Sequence, residues 1–137
     1  MKGKIVIFLT FLLISCNEEK GDISSLNTFP ENSSESYLLS TNDNLYISWT
    51  EQVADSNFLY LSKLENNTWS KKSIINKGTD WFVNWADFPS ISYNEISSSI
   101  FSFHLQKSSE ETFSYDVNYH LNINDSWLDM KKIHNDN

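Results

Sequence analysis

Residues 80–87, Asp-Trp-Phe-Val-Asn-Trp-Ala-Asp, form the stretch of this chain best equipped for recognition chemistry. Two indoles, Trp81 and Trp85, stand among two carboxylates and an amide. Indole faces stack on sugar rings, and Asp80, Asn84 and Asp87 supply partners for sugar hydroxyls. Gln106, followed by Lys107 and Ser108, falls in a later connection. In an antiparallel four-strand unit both connections emerge at one sheet edge. The candidate ligand-binding set is therefore Asp80, Trp81, Asn84, Trp85, Asp87 and Gln106, with a glycan as the expected partner. The competing reading makes Trp81 and Trp85 core packing. Asp80 and Asp87 fit that reading poorly, because buried carboxylates require partners.

Other chemistry has weaker support. His104, His120 and His134 show neither H-x-H nor H-E-x-x-H spacing, so no metal site is expected. Glu110 and Glu111 lie in an expected loop and read as a solvated face. There is no Gly-rich phosphate loop, and no cofactor is expected. Asn66-Asn67-Thr68 matches a glycosylation sequon, read as accidental. No catalytic residue is assigned.

The charge balance excludes one partner class. The 137 residues carry 10 basic and 18 acidic side chains, none of them Arg, for a net charge of −8. Phosphate backbones demand clustered Lys and Arg, so nucleic acid is excluded. An acidic body also argues against docking on anionic lipid by charge alone.

The N-terminus carries a different signal. Lys2 and Lys4 precede an uncharged apolar run over residues 5–14, which as a helix would rise about 15 Å, roughly half a bilayer core. Leu13-Ile14-Ser15-Cys16 then resembles the bacterial lipobox. That resemblance implies a signal peptide over residues 1–15, cleavage before Cys16, and lipid on the Cys16 thiol. Diacylglycerol plus amine acylation would give stable membrane anchoring. Loss of Lys2 and Lys4 with the leader leaves eight basic against eighteen acidic residues, a net −10. The lone Cys permits no internal disulfide. Residues 16–35 are polar and read as a flexible tether. The expected location is the bacterial cell envelope, at the outer membrane or cell surface.

The elements that must hold residues 80–87 and Gln106 are strands. Aromatic content is 15%, and from Tyr37 onward the apolar period is two. Leu45, Ile47 and Trp49 alternate with polar neighbours. So do Leu59 and Leu61, and later Phe113, Tyr115, Val117, Tyr119, Leu121 and Ile123. Three Gly and two Pro are few, so Asn, Asp and Ser must make the turns. The expected fold class is all-β over residues 36–137.

The two halves also correspond. Residues 45–51 match 100–106, residues 57–64 match 114–121, and Trp69 matches Trp127. Each copy has a short first strand, near residues 37–40 and 89–93, and three longer ones. Four antiparallel strands at this period are the pattern of a propeller blade.

Residues 80–90, 104–117 and 127–136 together look like the opening blades of sialidase-like β-propeller proteins. Asn122-Ile123-Asn124-Asp125-Ser126-Trp127 resembles a degenerate Asp-box turn lacking its glycines and Thr. The resemblance covers roughly residues 36–136. It implies two four-stranded blades of a larger, six-bladed propeller, of which this chain is the N-terminal portion. A small closed β-sandwich is the alternative. The family's arginine triad for a substrate carboxylate has no counterpart here, and Lys replaces a bidentate Arg poorly. The expected function is a lipid-anchored, sialidase-like segment that binds carbohydrate without catalytic competence of its own. The alternatives are part of an exo-acting glycoside hydrolase, or a protein-interaction scaffold.

Overall fold

The computed structural model describes residues 29–134. Cys16, residues 1–15 read as a signal peptide, and most of the stretch read as a tether lie outside the described residues. Within them the protein is all-β, in two antiparallel sheets. The first contains β1 (Ser33–Ser40), β2 (Leu45–Val53), β3 (Ser56–Glu65), β4 (Thr68–Trp69) and β5 (Ser73–Gly78). The second contains β6 (Trp81–Phe82), β7 (Ser90–Asn94), β8 (Ser99–Lys107), β9 (Tyr115–Ile123), β10 (Ser126–Trp127) and β11 (Lys131–Lys132).

Both sheets are the same meander. β1, β2 and β3 pair in sequence, and β4 and β5 together supply a fourth, interrupted strand along β3. In the second sheet β6 and β7 share one side of β8, β9 takes the other, and β10 and β11 run along β9. β1 begins at Ser33, inside the stretch read as tether, because Ser33 and Ser34 pair with Glu51 and Thr50.

The repeat extends to single atoms. Asn66 and Asn67 both have positive φ in the β3–β4 turn, as do Asn124 and Asp125 in the β9–β10 turn. That is the backbone of a type I′ hairpin, and Asn and Asp adopt it more readily than other residues with a Cβ. The Ser70 amide donates to the Lys63 carbonyl at 2.8 Å, and the Leu128 amide to the Leu121 carbonyl at 2.8 Å. Ser62 Oγ donates to the Ser70 carbonyl at 2.7 Å, and His120 Nδ1 lies 3.3 Å from the Leu128 carbonyl. Each pair is displaced by the 58 residues that separate Trp69 from Trp127.

The sheets meet through Leu59, Leu61 and Ile75 of the first and Ile91 and Ile100 of the second. The first strands of the two units, β1 and β7, also approach each other. A second cluster, Ile47, Trp49 and Tyr60, lies on the opposite face of the first sheet. There Phe29 meets Trp49 edge-on at 5.0 Å, and Trp49 stacks on Tyr60 at 5.6 Å. The buried Glu51 carboxylate accepts from Trp49 Nε1 at 2.8 Å and from Lys72 Nζ at 2.6 and 2.7 Å.

In β9 the alternation holds, but the buried side is the polar one. Asn118 and His120 are buried while Tyr119 and Leu121 are only half covered. Phe113 precedes the strand and is 91% exposed. The polar row of β9 faces the first sheet, and the apolar row faces away from it.

Candidate functional site

Residues 80–87 connect the end of β5 to β7, and the structure divides the six expected site residues among different roles. Gln106 lies inside β8 and not in the connection expected for it, and there it pairs across the backbone with Trp81 of β6, which brings the two to the same end of the sheet. The Trp81 indole packs into the inter-sheet core and lies 4.7 Å from the His104 ring. Gly78 makes room for it, since a Cβ there would sit 2.4 Å from Trp81 Nε1. Gln106 Oε1 accepts from Asn118 Nδ2 at 3.1 Å.

Asn84 and Asp87 are tied to each other. Asn84 Oδ1 accepts from the amides of Ala86 at 2.7 Å and Asp87 at 2.8 Å, and its Nδ2 donates to Asp87 Oδ2 at 3.2 Å. This is an Asx-type turn. At its tip Trp85 is 88% exposed. Asp80 is exposed, and its carbonyl accepts from the Lys107 amide at 2.8 Å. Of the two indoles, one is packing and one stands in water.

A larger concavity lies between the sheets at the other end of the strands, with a volume of about 420 Å³. Three aromatic side chains line it: Tyr46 at the start of β2, Tyr93 in β7 and Trp127 in β10. Each packs one side on the inter-sheet core and remains partly exposed. Polar groups converge from the turns and strand ends: Lys63 and Glu65 from β3, Asn122 from β9, and Asp125 from the β9–β10 turn. Lys63 and Glu65 pair at 3.7 Å.

Burial raises the Tyr46 pKa above the usual phenol value, and Tyr93, Asp125 and Glu65 push it the same way. The phenol therefore stays a hydroxyl donor at neutral pH. The cleft thus offers half-open ring faces beside carboxylates, an amide and a hydroxyl. Sequence reasoning missed it because these seven residues alone come from five strands and one turn. The visible trace was Asn122-Ile123-Asn124-Asp125-Ser126-Trp127, noted as a turn and not as a wall.

Between these two ends runs a buried polar layer. Ser48 and Ser102 are fully buried, and their hydroxyls have no hydrogen-bond partner. His104 is 3% exposed with neither ring nitrogen partnered. Burial, with a further contribution from His120, lowers its pKa to about 4, so the ring is neutral at physiological pH. Among the described residues no group of three or more His, Cys, Asp or Glu could hold a metal ion.

Comparison with family models, curated proteins and solved structures finds no match to this chain.

Proposed function

We propose that this protein is a lipid-anchored, glycan-binding β-sheet module of the bacterial cell envelope, with the inter-sheet cleft as its binding site. The observation that carries the reading is the grouping of Tyr46, Tyr93 and Trp127 around one concavity with Asn122, Asp125 and Glu65. Sugars present apolar C–H faces and a rim of hydroxyls. Half-open aromatic faces suit the first, and carboxylate and amide oxygens suit the second. The absence of Arg and the acidic balance favour neutral saccharides over sialic acids, whose carboxylate calls for a bidentate cation. The resemblance to sialidase-like propellers and the lipobox-like Cys16 support the setting: a tethered, propeller-type module outside the cytoplasm.

Trp85 favours a second site within the same reading, since an exposed indole on a hydrogen-bonded turn is a ready stacking platform. The experiment is a glycan array probed with wild type, with the Tyr46→Phe/Asp125→Asn double variant, and with Trp85→Ala. Both cleft substitutions keep the shape of the residue they replace. Signals lost in the double variant place recognition in the cleft, and signals lost only in Trp85→Ala move it to the loop. A wild-type protein that binds no glycan rejects the proposal.

A further inference from the structure

The internal repeat shows what the fold alone requires at the cleft, because three of the cleft positions have counterparts outside it. Tyr46 corresponds to Phe101, on the same face of the equivalent strand, so the strand needs no hydroxyl there. Glu65 corresponds to Ile123: each is the last residue before its turn, paired with Thr68 or Ser126. Asp125 corresponds to Asn67, and both hold positive φ in type I′ turns. Asparagine makes that turn as readily as aspartate, so the charge at 125 adds nothing to the backbone. One hydroxyl and two carboxylates are thus additions to the structural minimum, and all three line one concavity.

The charges in the cleft do not cancel. Its charged side chains are Lys63, Glu65 and Asp125. Lys63 lies 3.7 Å from Glu65, which leaves Asp125 with no ion-pair partner among the described residues. Asp125 is exposed, so its carboxylate is open to a ligand. It also lies within electrostatic reach of Tyr46, where burial, Tyr93, Asp125 and Glu65 together hold the proton on the phenol. A net negative charge therefore stands beside three aromatic side chains, Tyr46, Tyr93 and Trp127. An ammonium gains from ring faces and from a carboxylate acceptor at once, and a neutral group gains from neither charge.

We propose that the saccharide preferred by the cleft is an amino sugar with a free, protonated amine, its ammonium held by Asp125 beside Tyr46; this rests on the glycan reading of the cleft and narrows it. The remaining sugar ring stacks on the aromatic side chains as a neutral sugar does. N-acetylation removes the charge, so an N-acetylated sugar keeps the stacking and loses the ionic contact.

The test follows the Trp127 indole of the full chain in detergent during titration with glucose, glucosamine and N-acetylglucosamine. At about pH 6.5 glucosamine carries an ammonium, as an α-amino group does, and at about pH 9 it is neutral. In wild type, glucosamine is expected to bind about tenfold more tightly than either other sugar at the lower pH, and about as they do at the higher. In Asp125→Asn, which gives this turn the side chain its counterpart already has, the advantage is expected to vanish at both pH values. Asp55→Asn, in the β2–β3 turn, removes the same charge at the far end of the strands, and there the advantage is expected to persist. Sugars that bind alike in wild type at about pH 6.5 overturn the proposal and leave the glycan reading standing. So does an advantage that survives Asp125→Asn, or one that Asp55→Asn abolishes equally. A Trp127 signal that no sugar moves overturns both.

Discussion

The imidazoles of His104 and His120 lie nearly parallel between the two sheets, 5.7 Å apart at their centroids and 17° apart in plane. A proton on His104 would be a buried charge beside a second imidazole, with no acceptor on either nitrogen of its ring. Its native pKa of about 4 lies below the 6.5 of a free histidine, so the unfolded chain binds the proton first. Stability is therefore full above pH 6.5 and falls as pH drops from there to 4. The expected loss across that window is on the order of 3 kcal/mol. Chemical denaturation at a series of pH values measures it, and His104→Leu should flatten the curve in this window.

Glu51 gives a second prediction. Its carboxylate is buried and is held by Lys72 Nζ and Trp49 Nε1. Lys72→Met leaves that charge with the indole alone, at a cost of about 2 kcal/mol after allowance for the partly exposed ammonium. Pairing the change with Glu51→Gln removes the charge and should recover part of the loss. Urea melts of the single and double variants provide the comparison.

The two type I′ turns supply a third. Asn67 and Asp125 occupy the same left-handed position in the two copies, with φ of 62° and 61°. A β-branched residue is strained there, so Asn67→Val and Asp125→Val should each cost about 1–2 kcal/mol. Gly at either place should be neutral or slightly stabilising. Thermal melts showing unequal effects at the two sites would contradict their equivalence.

The two indoles of the connecting segment should behave oppositely. Trp81 is part of the inter-sheet core, and Trp81→Ala should cost about 3 kcal/mol or more. Trp85 touches little, and Trp85→Ala should change stability by less than about 0.5 kcal/mol. Paired thermal melts decide this without any ligand.

Much of this arrangement was legible in the sequence. Period-two runs placed β2, β3 and β9, the correspondence of residues 45–51 with 100–106 placed β8, and the Asn and Asp clusters placed the turns that glycine would otherwise make. The correspondence of Trp69 with Trp127 pointed to the repeat, and the equivalent hydrogen bonds beneath it appear only in the structure. The facing of β9 was not legible. A row reading Tyr115, Val117, Tyr119, Leu121 is the core side by composition, yet Asn118 and His120 are turned inward. Alternation fixes which residues share a face and is silent on which face meets the partner sheet. The fate of Trp81 depended on Gly78 and His104, a contact across elements that no local pattern reports. The cleft escaped for the same reason, since Tyr46, Tyr93 and Trp127 converge only through sheet packing.

The five tryptophans sample every region in question, and their indole N–H resonances test glycan binding in the cleft most directly. Trp127 lines the cleft, Trp85 caps the loop, and Trp81, Trp49 and Trp69 report on packing. In a nitrogen–proton correlation spectrum, titration with glucose, galactose, N-acetylglucosamine and sialic acid at millimolar concentration follows all five at once. Binding in the cleft predicts saturable movement of the Trp127 signal with at least one neutral sugar, no response to sialic acid, and still signals for Trp49 and Trp81. A Trp127 signal that no sugar moves, or movement confined to Trp85, would contradict it.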